Sequence, residues 1–358
     1  MTDNPSDPRA ALLRRRAMLT AAALAPVMAT ALAGRSGAAL AADAAPFPTH
    51  PRWKFVFVNH VTTNPFFVPT QYGIQDACAL LGCDHQWTGS ANADVGEMVN
   101  AVNAAIASKA SAIATCIVDP HAFDKPIANA LAAGIPVFSY NADAPAGGGN
   151  QRLAYIGQDL YKSGVAMGER ILTMVDSGAI AIFIATPGQL NIQPRLDGAS
   201  DVIKKSGKPI TIDVIATGAT VNEELSKIKA YYLGHQSVKG MFAVDGGSTQ
   251  GVAETIKQYD LVKKGVHGGG FDLLPRTMQL IKEGQLDFTI DQQPYLQGFY
   301  TAIQMFTFLA SGGLSGPAET NTGLKFVTKE SVGTYLATKT RFEGDSEKAQ
   351  IVPRTGAI

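Results

Sequence analysis

The stretch NHVTTNPFF, Asn59 to Phe67, follows directly on the apolar run WKFVFV at Trp53 to Val58. A loop from strand to helix ordinarily takes Gly, Asp, Asn or Ser for its turn and cap chemistry. Here a His and an Asn are followed by two adjacent phenylalanines, a flat apolar face beside a polar rim. Similar chemistry recurs just after the other apolar runs: Asp119, Asn141, Gln158, Asn191 with Arg195, Asp245, Phe271 with Asp272, and Asp291 with Gln292. With His60, Asn64, Phe66 and Phe67 these residues supply amides, carboxylates, a rigid guanidinium fork and aromatic faces. Amides and carboxylates pair with hydroxyl groups, and aromatic faces cover the C–H faces of a sugar ring. The set predicts a site for a small polyhydroxylated ligand. Each member also has a local alternative. Asn64 can cap the following helix, and one of Phe66 and Phe67 can belong to the core. Asp119 before Pro120 and Asp245 before Gly246-Gly247 can form turns, and Arg195 can pair with Asp197.

The elements that must position these residues alternate between strand and helix. WKFVFV is followed by a helical segment PTQYGIQDACALLG ending at Gly82, then DHQWTG, then a helix through DVGEMVNAVNAAIASK. AIATCIV, a helix through FDKPIANALAAG, and IPVFSY continue the series. The loop Asn141 to Arg152 interrupts it. After LAYIGQD and the helix LYKSGVAMGERILTMV a second series follows, AIAIFIAT, TIDVIAT, GMFAV, GVHGGGF and LDFTI, with helices between. This alternation predicts an α/β fold of two similar lobes, each a parallel sheet covered on both faces. Open sheets of this kind hold ligands beyond the carboxyl ends of their strands, where the candidate residues fall. The last 35 residues or so read as a polar tail packed across the surface.

At 358 residues the chain is long enough for two domains, and its 30 Lys+Arg balance 30 Asp+Glu, which argues against nucleic-acid or anionic-membrane partners. Residues 1–41 read as an export signal: Arg14, Arg15 and Arg16 precede a modestly apolar Ala-rich stretch that ends at Ala39-Leu40-Ala41. RRAMLT, Arg15 to Thr20, resembles a twin-arginine signal, and cleavage is expected near Ala41. The mature chain is then expected in the periplasm. Cys116 reads as a buried apolar residue, while Cys78 and Cys83 flank a helix end and leave a bridge open. Neither Cys nor His spacing suggests a metal site, and no cofactor is expected. GGGFDL and GGSTQG fall short of a dinucleotide fingerprint, and GGSTQ misses the nucleophile elbow. The enzyme class is therefore disfavoured.

Taken in order, TTNPFF, VDP at Val118 to Pro120, IPVFSYN, YIGQD, MFAVDG, GGGFD and TIDQQP resemble the ribose-type sugar-binding proteins of bacterial ABC importers. The resemblance covers Trp53 to about Thr328. It implies two Rossmann-like lobes joined by a three-segment hinge, with 53–158 plus 293–323 in the first and 159–292 plus 324–358 in the second. It also implies that His60, Asn64, Phe66, Phe67, Asp119 and Asn141 contact sugar from the first lobe, and Arg195, Asp245, Phe271 and Asp272 from the second. Gln158 and Gln292 would lie at crossovers. Partners implied are a sugar or polyol and an inner-membrane ABC permease, with the protein acting as a monomer. A sensor that presents its closed form to a chemoreceptor or receptor kinase would share the site, as would an exported carbohydrate-active enzyme. Ribose binders carry Asp-Arg where this chain has Asn141-Ala142, and a sandwiching ring near Ala219, so another pentose, a hexose or a polyol is expected.

Overall fold

The computed structural model describes residues 49–337 except 146, 314 and 315. The expected export signal and the tail beyond residue 337 lie outside the described residues. The first half holds strands β1 (Lys54–Asn59), β2 (Asp84–Gly89), β3 (Ala112–Thr115), β4 (Val137–Tyr140) and β5 (Tyr155–Gly157). Helices α1 (Val68–Leu81), α2 (Val95–Ala107) and α3 (Asp124–Ala132) connect them. The second half repeats the plan with β6 (Gly178–Ile184), β7 (Ile210–Ala216), β8 (Gly240–Ala243), β9 (His267–Phe271) and β10 (Phe288–Asp291). Its helices are α4 (Leu160–Leu172), α5 (Gln193–Lys205), α6 (Val221–Gly234), α7 (Gly246–Gln258) and α8 (Pro275–Lys282). Then come α9 (Pro294–Ala310), β11 (Glu319–Asn321), β12 (Lys325–Val327) and α10 (Val332–Ala337).

The strands form two six-stranded sheets, ordered β11-β5-β4-β3-β1-β2 and β12-β10-β9-β8-β6-β7. Both have the same internal plan: the first strand of each lobe lies between its second and third. Strand order therefore reverses beside β1 and beside β6, the topological switch points where such sheets bind ligands. The central strands are the uninterrupted apolar runs of the sequence, buried from Phe55 to Asn59 in β1 and throughout β3, β4 and β8. The edge strand β7 alternates instead, as expected of a strand with one solvated face. One pairing departs from the all-parallel expectation: β12 runs antiparallel to β10, with Ile290 opposite Phe326. Three residues of the expected tail thus close a sheet edge.

The chain passes between sheets three times: after β5, after β10 and between β11 and β12. Helix α9 follows the second passage and returns to the first lobe, where it packs on α1. The two helices meet almost backbone to backbone, since a Cβ on Gly73 would stand 2.1 Å from the carbonyl oxygen of Tyr295. Helix N-termini are closed by side chains, Asp94 on α2, Asp159 on α4, Thr220 on α6 and Asp245 on α7, each worth about 1 kcal/mol. Cys78, Cys83 and Cys116 are all unbridged and buried.

Candidate ligand-binding cleft

The first wall is built by the turn after β1. Asn59 ends the strand, its Oδ1 accepting from the Val61 amide at 2.9 Å, and this tight turn projects His60 beyond the sheet. Asn64 accepts from the Phe66 amide at 3.0 Å and so caps the short 3-10 turn Pro65–Phe67. It performs the local role and still lines the cleft. The two phenylalanines divide the work. Phe67 is buried edge-on to His60 and near Trp87, while Phe66 stays partly exposed, its ring centroid 4.7 Å from that of Phe67. His60 is buried, which pushes its pKa down to about 3, so the ring is neutral. Its Nε2 accepts from Asn191 Nδ2 at 3.1 Å, a contact from one lobe to the other.

The second wall centres on Arg195, which α5 carries into the protein at 2% exposure. Its Nη1 donates to the Val244 carbonyl at 2.9 Å and its Nη2 to Gln158 Oε1 at 3.1 Å, while Nε has no partner. The guanidinium lies 4.0 Å above the Phe271 ring. Burial lowers its pKa from the ordinary value, and Asp272 acts in the opposite sense. Asp245 caps α7 by accepting from Ser248 N at 2.8 Å, and it accepts from Ala185 N at 3.0 Å. Asp272 is held in a left-handed conformation, φ 76°, and burial raises its pKa to about 6.

A chain of amides links the two walls through the crossovers. Asn141 Nδ2 donates to Gln297 Oε1 at 3.1 Å, Gln297 Nε2 donates to Gln292 Oε1 at 3.0 Å, and Gln292 Nε2 donates to Asp272 Oδ1 at 2.7 Å. An amide at position 141 fits this chain because it donates to the Gln297 carbonyl. The loop after β6 also reaches across: Leu190 N donates to Val118 O at 2.8 Å and Gln189 Nε2 to Ala93 O at 2.9 Å.

Between the walls lies about 540 Å³ of empty space, counting its opening to solvent. His60, Asn64, Phe66, Phe67, Asn141, Asn191, Arg195, Asp245, Asp272 and Gln292 all line it. Three expected residues do not. Asp119 folds back on its own loop, accepting from the amides of His121 and Ala122 at 2.9 and 2.7 Å, so the turn reading holds. Phe271 is fully buried beneath Arg195 and supports it from behind. Gln158 stands behind the wall too, fixing Arg195 and donating to the Gly323 carbonyl at 3.0 Å. Asp291, also at a strand end, accepts from the Gln293 amide at 2.8 Å and secures the crossover.

The unsatisfied atoms point to what the cleft can do. Buried side-chain polar atoms are nearly always paired, yet among the described residues eight have no partner, four of them His60 Nδ1, Asn191 Oδ1, Arg195 Nε and Glu224 Oε2. All four belong to lining residues drawn from both walls. Donors and acceptors left open around a small space beside a partly exposed ring suit a hydroxyl-rich guest. Among the described residues no cluster of His, Cys, Asp and Glu could hold a metal, and no helix is long and apolar enough to cross a membrane.

Residues 55–313 match the family model of the periplasmic binding protein domain. The chain belongs to the periplasmic binding protein family. Over 311 residues it is 53% identical to the xylose/arabinose-binding protein XylF of Sulfolobus acidocaldarius, covering 84% of this chain and 76% of that one. Two solved structures from Geobacillus stearothermophilus share the fold. GanP, a glucose-galactose binding protein, superposes with a TM-score of 0.71 at 25% identity, over 78% of this chain and 99% of its own. AraP, an arabinose binding protein, superposes with a TM-score of 0.63 at 26% identity, over 79% and 99%.

Within this periplasmic binding protein, several lining residues were not expected from the sequence: Glu224, Thr186, Gly246, Gly247 and the small residues Ala93 and Ala185. The signal for Glu224 was available. The segment after β7 is a strand end like the others, and Thr220-x-x-Glu223 is the capping box that starts α6. A second acidic residue in a first helical turn simply reads as macrodipole complement.

Proposed function

We propose that this chain captures a pentose between its two lobes, without chemically altering it, and presents the closed form to an ABC permease. The observation that carries this is the group of unpartnered donors and acceptors contributed by both lobes to one cavity, beside Phe66. The relative named for xylose and arabinose supports a pentose over a larger sugar. Phe66 serves as the apolar shelf for the sugar ring, and Arg195 supplies donors in fixed geometry because Phe271, Gln158 and Val244 hold it. The three passages between the sheets act as the hinge. The hydrogen bonds from Leu190, Gln189 and Asn191 to the first lobe form on closure, so ligand shifts the balance toward the closed form. Export by the twin-arginine signal, a periplasmic location and action as a monomer complete the proposal.

A binding role also suits the carboxyl pair on the second wall. Glu224 and Asp245 stand side by side in one wall, whereas a glycosidase places its two carboxyls on either side of the bond it breaks. The direct test is a thermal-shift screen against D-xylose, L-arabinose, D-ribose, D-glucose and myo-inositol. A pentose at 100 times its dissociation constant should add about 2.7 kcal/mol of stability. No shift with any of the sugars would reject the proposal, and consumption of any of them would reject its non-catalytic part.

A further inference from the structure

Glu224 stands in the first turn of α6 at 2% exposure, lines the cavity, and leaves Oε2 without a partner. Its carboxyl adjoins that of Asp245 in the same wall of the cavity. Two neighbouring buried carboxyls do not both ionise readily, so one proton stays on the pair. Asp245 already accepts backbone N–H groups from Ser248 and Ala185, which favour the charge there, so the proton resides on Glu224. Burial raises Glu224 to about 10, and the charges of Asp245 and then Glu223 act in the same direction. Glu223 is itself engaged with Thr220, while Arg195 on α5 and Asp272 after β9 are the further charged groups lining the cavity with the pair. Space for the carboxyl is made by glycine: a Cβ on Gly247 would lie 1.6 Å from Oε2.

We propose that Glu224 is a specificity-determining ligand residue, a neutral acid that donates to Asp245 while its free oxygen accepts a hydroxyl hydrogen of the bound sugar. The proposal rests on the sugar-binding function above and narrows its ligand. With Asp245 beside it, the pair addresses two adjacent hydroxyls: one donates to the Asp245 carboxylate, its neighbour to Glu224. A sugar lacking either hydroxyl leaves a buried acceptor unpaired. A sugar acid with its carboxylate at this point meets the Asp245 charge and is refused. Ala219 and Gly247 keep this wall free of rings, so polar contact, not stacking, reads the ligand here.

The test is calorimetric titration of the chain and its variants with D-xylose, L-arabinose and the monodeoxy forms of whichever binds more tightly. Glu224→Met keeps the side-chain length and removes both hydrogen bonds, and it should lose at least about tenfold in affinity. Glu224→Gln, whose amide donates to Asp245 and whose carbonyl accepts from the sugar, should recover most of that loss. One monodeoxy sugar should bind Glu224→Met as well as its parent does. Glu224→Asp, which withdraws the carboxyl by one methylene, gives a second readout should the Met variant fail to fold, and a similar loss is expected. A folded Met or Asp variant with wild-type affinity overturns the inference, as do deoxy penalties that are the same in wild type and variant at every position. If wild type binds neither parent sugar, the pentose proposal itself fails and this inference falls with it.

Discussion

Replacing Glu224 by Gln should change how stability depends on pH. In the folded protein burial and the neighbouring Asp245 charge keep Glu224 protonated up to about 10, against an ordinary value of 4.5. Between those values the native state holds one more proton than the unfolded chain, so stability falls as pH rises, by about 1.4 kcal/mol per unit. From about pH 5.5 to about pH 8.5 this single group removes up to about 4 kcal/mol, a large share of a typical domain's stability. Glutamine donates the same hydrogen bond to Asp245 without a proton to hold. Asp272 and Asp291, both raised by burial to about 6 from 3.8, also cost stability as pH rises, but only up to that value, and they are present in both proteins. Urea unfolding followed by circular dichroism at several pH values isolates the difference. The variant should gain on wild type steadily as pH rises, with the gap widening by several kcal/mol over that range. A gap that stays constant would mean that Glu224 is ionised in the native state and that the shared proton does not exist.

Three further outcomes follow from the same geometry. Arg195→Lys should weaken sugar binding by about 2 kcal/mol or more, because an ammonium cannot hold Val244 and Gln158 and still present a fork to the ligand; titration with unchanged affinity would remove Arg195 from the site. Gly164→Ala should destabilise the protein by roughly 1–3 kcal/mol and weaken binding as well, since the new Cβ would lie 2.1 Å from the Arg195 carbonyl oxygen and push α5 off α4; thermal unfolding and titration together check this. Trp87 lies 6.0 Å from Phe67 and donates to the Thr62 carbonyl at the cleft wall, whereas Trp53 stacks on His50 away from the cleft. A fluorescence change on sugar binding should therefore disappear in Trp87→Phe and persist in Trp53→Phe.

The fold was legible because strands buried on both faces must be apolar throughout, and WKFVFV and AIAIFIAT state this without ambiguity. The antiparallel β12 was not, since Lys325 to Val327 is too short to show a period and pairs only through a distant strand. The strand-end rule located most of the cleft wall but could not assign each side chain. Asp119 is short enough to reach its own backbone and does so. Phe271 follows the strand pleat away from the cavity and ends beneath Arg195. Gln297 was hidden by its setting, a polar residue in the apolar helix α9, though it joins Asn141 to Gln292. Glu224 was hidden by its ordinariness, an acid at a helix start whose burial only the packing against Asp245 and Gly247 reveals.

The central claim is that side chains from both lobes converge on one sugar. Calorimetric titration of D-xylose and L-arabinose into wild type, Phe66→Ala and Asp272→Asn tests it most directly, because one variant alters each wall. Single-site, saturable binding of at least one pentose is predicted, weakened about tenfold or more by each change on its own. Binding that neither substitution alters, or no binding of either pentose to the wild-type chain, would contradict the account.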